Sequence, residues 1–256
     1  MNAKWVFIFG FCCLVVFGCK KTTESTESLF WAEEFDGASL DLSVWNYKLG
    51  DGCPNLCGWG NNEPQIYTKE NVTVSGGTLK IKATLDDTIY HSSRITTEKK
   101  FEFQYGRLET RVKLPKGAGL WPAVWMLGSN IKEKSWPLCG EIDVVEWIGR
   151  DPDSLFTSLH TKASHGNTIN TKKTFIADAG EWHTYGCDWN EDRIIFSLDG
   201  KTVYTFQPKE KTEEIYPFTQ PFYLLVNMAV GGNFGGAIDD SIFPQTLEVD
   251  YIRVYK

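Results

Sequence analysis

The chain has 256 residues, of which 26 are Lys or Arg and 33 are Asp or Glu, for a formal charge of −7. With no basic tract in it, that balance argues against nucleic acid as a partner. The His residues are scattered and the cysteines lack a zinc spacing, so no zinc centre is indicated.

The N-terminus reads as an export leader. Lys4 precedes an apolar run that begins at Trp5 and continues to Cys19, too short and too N-terminal for a membrane span. Val16-Phe17-Gly18-Cys19 resembles a bacterial lipobox, although Phe17 is bulkier than that pattern prefers. The expectation is a lipoprotein-type signal peptide over residues 1–18, with Cys19 lipidated as the first mature residue; an ordinary cleaved signal is the alternative. Residues 19–28 are polar and low in complexity, which suits a flexible tether. The protein is then expected in the cell envelope, touching membrane only through its lipid, or secreted.

Residues 29–256 remain as one domain, long enough for a large core. Cys53 and Cys57 lie close together in an exported chain, where a small-loop disulfide is plausible. Cys139 and Cys187 read as buried thiols unless their strands are neighbours. Val72-Thr73-Val74 and the run from Leu79 to Ala83 flank a Gly76-Gly77 turn and read as two short strands. Arg107 to Leu114 alternates polar and apolar residues, the pattern of a half-buried strand. Arg193 to Tyr204 reads as a hairpin turning at Asp199-Gly200, and Phe222 to Val226 and Leu247 to Val254 as further strands. No long helical periodicity and no repeat interrupts this pattern, so the expected fold class is all-β, a sandwich of two antiparallel sheets.

The chemistry concentrates in Glu141-Ile142-Asp143-Val144-Val145-Glu146-Trp147. Branched apolar residues between the acids make this a strand, on which Glu141 and Asp143 share a face. Glu146 is an odd number of positions from Glu141 and belongs on the other face, unless one residue is absorbed as a β-bulge within Val144-Val145. Two readings follow: a solvent-facing Glu146, on an acidic exposed face or calcium site, or three acids gathered in one groove. The second has a purpose, because retaining glycoside hydrolysis needs two carboxyl groups about 5–5.5 Å apart. Asp143 between them would hold hydrogen bonds to one and keep negative charge beside the other, favouring its protonated form.

Several segments together resemble glycoside hydrolase family 16. The acidic motif is similar to the bulged, six-residue version of laminarinases. Gly58-Trp59-Gly60-Asn61-Asn62-Glu63, Tyr105-Gly106-Arg107, and the stretch from Gly119 to Leu127 are similar too. So are Trp182-His183-Thr184-Tyr185, Asn227-Met228-Ala229-Val230-Gly231-Gly232, and Asp250 to Tyr255, which extends the resemblance over residues 29–256.

The resemblance implies a β-jelly roll whose concave sheet forms an open cleft, and an endo-acting, retaining β-1,3-glucanase that needs no cofactor for its chemistry. It implies Glu141 as nucleophile, Glu146 as general acid/base and Asp143 as supporting carboxylate. Trp121 and Trp125 match cleft tryptophans and are expected on one strand face; core packing is the alternative for each. His160 is expected on the neighbouring strand, within reach of Glu146 or substrate, or as a structural histidine. Arg94, Asn61, Glu63 and Asn227 are the further substrate-binding candidates, with an ordinary surface arginine the alternative for Arg94 and a buried amide satisfying backbone groups the alternative for Asn227. Glu34, the backbone near Gly76 and Asp250 are candidate ligands of a structural calcium. The expected partner is a β-glucan polysaccharide met by a monomer. The same mechanism on mixed-linkage glucan or a sulfated algal galactan is the second reading, and a non-catalytic glucan-binding lipoprotein the third.

Overall fold

Alternation of apolar and polar residues at period two leaves each strand with one face to bury, and two sheets placed face to face bury both at once. The computed structural model describes Met1 and residues 27–256; the expected signal peptide, Cys19 and nearly all of the tether lie outside the described residues. Among the described residues, ten strands form one sheet and eight the other, and the only α-helical segment is the single turn Gly232–Gly235.

The larger sheet is centred on Trp182–Trp189, Gly106–Lys113 and Gln245–Tyr255. The smaller one runs in the order Lys172–Phe175, Ser154–His160, Glu141–Trp147, Leu120–Gly128, Phe222–Val230, Arg94–Thr96 and Asn46–Tyr47, with Glu102–Phe103 also paired to Phe222–Val230. Ile81, Leu108, Val112 and Val249 from the larger sheet meet Ile95, Leu120, Val124, Met126, Leu224 and Val226 from the smaller in one buried cluster. Each such side chain, fully buried, stabilises the fold by roughly 1.5–3 kcal/mol before entropy is counted.

The expected strands are present, several of them longer than the patterns suggest. The hairpin of Ile194–Leu198 with Lys201–Phe206 turns at Asp199 and Gly200, both at positive φ as a two-residue turn of that kind requires. The strand expected over Phe222–Val226 continues to Val230, because Met228 and Val230 also enter the core. Cys53 and Cys57 form a disulfide, and Cys139 and Cys187 are buried free thiols.

The acidic strand departs from regular alternation where its parity demands. Ile142, Val144, Val145 and Trp147 all belong to the core cluster, so two consecutive valines face inward. Against Leu120–Gly128, Trp125 pairs with Asp143 and Val124 with Val145, and Val144 is passed over. Against Ser154–His160, Asp143 pairs with Ser158 and Glu146 with Phe156, again one residue in excess. This is the bulge. A regular strand would bury only one of the two valines. Val144→Ala and Val145→Ala should therefore each lower unfolding free energy by about 2 kcal/mol in denaturant titration. A near-neutral result at either position would place that side chain outside the core.

Candidate active site

The outer face of the smaller sheet carries the residues with chemistry. Because Leu120, Val124 and Met126 point inward, Trp121, Ala123 and Trp125 point outward; on Phe222–Val230 the same alternation turns Tyr223, Leu225 and Asn227 out. The bulge sets Glu141, Asp143 and Glu146 beside them, and Ser158 and His160 follow on the next strand. The reading with three acids in one groove is the one the fold adopts.

Each carboxylate is held differently. Glu146 accepts hydrogen bonds on both oxygens, from Trp121 Nε1 and from Ser158 Oγ, each at 3.1 Å. Glu141 accepts one from Trp136 Nε1 at 2.8 Å on Oε2. His160 lies across from Glu141, with Nε2 at 3.3 Å from Asp143 Oδ2 and 3.8 Å from Glu141 Oε1. The Gly166 N–H donates to His160 Nδ1, which in a neutral ring places the proton on Nε2, facing the two acids. This corrects the expected pairing of His160 with Glu146: the direct neighbours are Asp143 and Glu141, because the register sets His160 opposite Glu141.

Crowding buried carboxylates disfavours their charged forms. Glu141 is pushed up to about 8, first by burial and then by the charge of Asp143, while His160 and the Trp136 N–H oppose the rise. Burial, reinforced by Glu146, holds Asp143 well above the usual carboxylate range. Glu146 is also raised by burial, opposed by His160, Ser158 and Trp121. Asp143 Oδ2 has no hydrogen-bond partner, since His160 Nε2 is near it but out of line.

Further along the sheet, the Arg94 guanidinium lies between two indoles, 4.8 Å from the Trp59 ring centre and 4.7 Å from that of Trp125. Trp125 Nε1 donates to Asn227 Oδ1 at 2.8 Å, Asn227 Nδ2 to the Tyr67 hydroxyl at 3.2 Å, and Tyr67 in turn to Glu63 Oε2 at 3.1 Å. Glu63 also accepts from Asn61 Nδ2 and Gln65 Nε2, and is 6 % exposed. Glu63 and Asn227 are thus buried members of a network, as the buried-amide alternative for Asn227 has it, with Asn61 on its rim. The reason is burial: a carboxylate so enclosed must be satisfied by the protein.

The calcium expectation meets competing partners. Glu34 holds Arg253 through both oxygens, at 2.7 and 2.8 Å, and Asp250 Oδ2 holds Arg111 at 2.5 Å. Gly76 lies in the turn after Val72–Val74 at positive φ. Elsewhere, Glu141, Asp143 and His160 bring three side-chain donor atoms within 4.8 Å of one another. They belong to the acidic cluster itself. A basic hollow of about 520 Å³, lined by Lys48, Lys99, Lys100, Lys132, Glu98, Asn46 and Tyr47, lies at the Asn46–Tyr47 edge, four strands from the acids.

Sequence reasoning missed Ser158, Trp59, Tyr67, Gln65 and Trp136. Ser158 was within reach, two positions from His160 on a strand and so on its face. Trp136, on the loop between Gly128 and Glu141, carries no period to reveal it.

Residues 60–253 match the family described as Glycosyl hydrolases family 16. The sequence is 39 % identical over 260 residues to "Glucan endo-1,3-beta-glucosidase A1" of Niallia circulans, covering 90 % of this chain and 38 % of that protein. It is 38 % identical to "Beta-glucanase" of Rhodothermus marinus, covering 89 % of this chain and 85 % of the relative. The fold matches the crystal structure of laminarinase from Flavobacterium sp. UMI-01 with a TM-score of 0.87 and 57 % identity, over 90 % of this chain and all of that one. The chain thus spans under two-fifths of the Niallia circulans relative's length.

Because folding raises Glu141 from about 4.5 to about 8, the folded state binds the extra proton between those values. Stability contributed by that proton is present below pH 4.5 and lost as pH climbs through 8. Glu141→Gln removes the ionisation, so its melting temperature should exceed the parent's by about 10 °C at pH 8.5 and much less at pH 5, one pKa unit being about 1.4 kcal/mol and a domain of this size shifting about 2–4 °C per kcal/mol. A gap that stays constant with pH would contradict this electrostatic account.

Proposed function

The chain belongs to glycosyl hydrolases family 16 and is a glycoside hydrolase of jelly-roll fold; we propose that it is an endo-acting, retaining β-1,3-glucanase acting on laminarin-type glucan. The observation that carries this reading is the bulge, which puts Glu141, Asp143 and Glu146 on one outward face with Trp121 and Trp125 beside them.

In the first step Glu146 gives its proton to the leaving glycosidic oxygen while Glu141 attacks the anomeric carbon. The Trp121 and Ser158 donors fix the Glu146 carboxyl so that the same group can accept a proton from water in the second step. Asp143, 3.3 Å from His160, lies next to Glu146, and burial raises both carboxyls, which supports the protonated form of Glu146 in the resting enzyme. Arg94 Nε is buried with no partner among the described residues, so a sugar hydroxyl arriving over Trp125 would complete it.

The low cationic content of this face supports a neutral polymer over a sulfated galactan. Arg94 is clasped by indoles, and the lysine-lined hollow is four strands from the acids. Mixed-linkage glucan uses the same mechanism and is the reading an assay must separate. Export, with a lipid on Cys19 as the only membrane attachment, remains part of the proposal and rests on the leader sequence. The monomeric state is likewise proposed. So is a structural calcium near Glu34, Gly76 and Asp250, which would have to share oxygens with Arg253 and Arg111.

Protein lacking residues 1–28 should release a mixture of oligosaccharides from laminarin, with a barley-glucan lane reporting whether 1,4 linkages are also cut. Glu141→Ala and Glu146→Ala should each lower turnover by about 10³-fold or more while retaining the fold and glucan binding. Degradation of agarose or carrageenan alone would replace the substrate assignment, and activity surviving in both variants would remove the assignment of roles.

A further inference from the structure

Trp136 stands apart from the other aromatic residues near the acids. It lies on the loop between Gly128 and Glu141 and is 41 % exposed, yet its indole N–H reaches back 2.8 Å to Glu141 Oε2. The loop is tied at its base: the Gly128 N–H donates to Gly140 O, and Gln220 Nε2 to Cys139 O at 2.7 Å. A Lys134–Glu213 ion pair joins it to a neighbouring loop, and the edge of Trp136 meets the His165 ring at 5.3 Å. An exposed side chain with a rigid base can be aimed at one oxygen.

Only one oxygen of Glu141 is held in this way. Oε1 has the longer contact to His160 Nε2, at 3.8 Å. We propose that Trp136 is a positioning residue for the nucleophile: its N–H fixes the Glu141 carboxylate by Oε2 and leaves Oε1 as the atom that bonds to the anomeric carbon. This rests on the assignment of Glu141 as nucleophile. It assigns a task to a loop indole that neither stacking on sugar nor core packing requires.

Two physical effects accompany that bond. The first is orientation: without the N–H, the carboxylate can rotate out of the attack line. The second is charge: a donor to the carboxylate favours the ionised form that attacks, acting with the facing His160 against burial, Asp143 and Glu146, while the Cys139 thiol alongside is itself pushed up by burial and by Glu141. Trp136→Phe keeps an aromatic ring on the loop and removes the donor together with the five-membered ring that carries it.

The test is covalent trapping with a 2-fluoro laminari-oligosaccharide that carries a dinitrophenolate leaving group. A Glu141 oxygen forms the C1–O bond, the C1–aryloxide bond breaks, and the aryloxide departs with the electron pair, needing no proton from Glu146. The dye released and the mass gained on the Glu141 peptide report nucleophilic attack alone. Trp136→Phe, folded by its melting curve, should label about tenfold or more slowly, with the acid limb of its labelling-rate profile moved to higher pH and little change in the concentration for half-maximal rate. Labelling of Trp136→Phe at the parental rate and pH profile would overturn the proposal. A slower rate with an unmoved profile and weakened binding would overturn it also, since that pattern belongs to a lost sugar platform. If the parent enzyme is not labelled on Glu141, the assignment of the nucleophile fails instead, and the two failures are distinguishable.

Discussion

Two adjacent valines entering the core together are what the acidic face depends on. Branched side chains at Val144 and Val145 bury well against the opposing sheet, and burying both costs the strand its regular alternation. That one-residue excess carries Glu146 around to the side of Glu141 and Asp143. The hydrophobic effect thus sets the position of a charged group, and does so on a strand paired on both sides, where neighbours over-determine the geometry.

Around this point the polar groups are arranged in tiers. Trp121 and Ser158 hold Glu146. Trp125, Asn227, Tyr67 and Glu63 form a continuous hydrogen-bonded chain beneath the neighbouring floor. Gln65 joins that chain to the sheet backbone by accepting from the Val230 N–H. A buried glutamate with three hydrogen-bond donors resists rearrangement, because any broken member leaves an unpaired group in a dry place. Both outward tryptophans lose rotational freedom through their N–H groups, and Arg94 packs over the Trp125 ring.

Many of the strands follow from patterns legible in the chain: alternation marks them, Asp199-Gly200 marks a turn, and odd parity between Glu141 and Glu146 forces the choice that the bulge resolves, whereas their order across each sheet comes from contacts distant in sequence. The rest is of two kinds. For Glu63 and Asn227 the sequence leaves open whether a polar side chain meets solvent or its own protein, because that depends on contacts distant in sequence, here between Asn227 and Tyr67. Trp136 and Trp59 sit on loops, where neither period nor propensity says which way a side chain turns. His160 shows an intermediate case. Its strand was correctly inferred, but the exact opposite number across the ladder is a matter of register, and register placed it against Glu141.

The two borders of the smaller sheet bear on a different property. A face that must stay bare for a polymer to lie across it cannot be covered by helices, so its edges are where another chain could add a strand. At one border stands Lys172–Phe175, which opens with two lysines, and at the other the two-residue strand Asn46–Tyr47, followed at once by Lys48. Short edges bearing lysine are poor templates for further pairing. The open floor is thus compatible with a protein that stays dispersed at high concentration: charge at its margins hinders the edge-to-edge aggregation that an uncovered sheet invites.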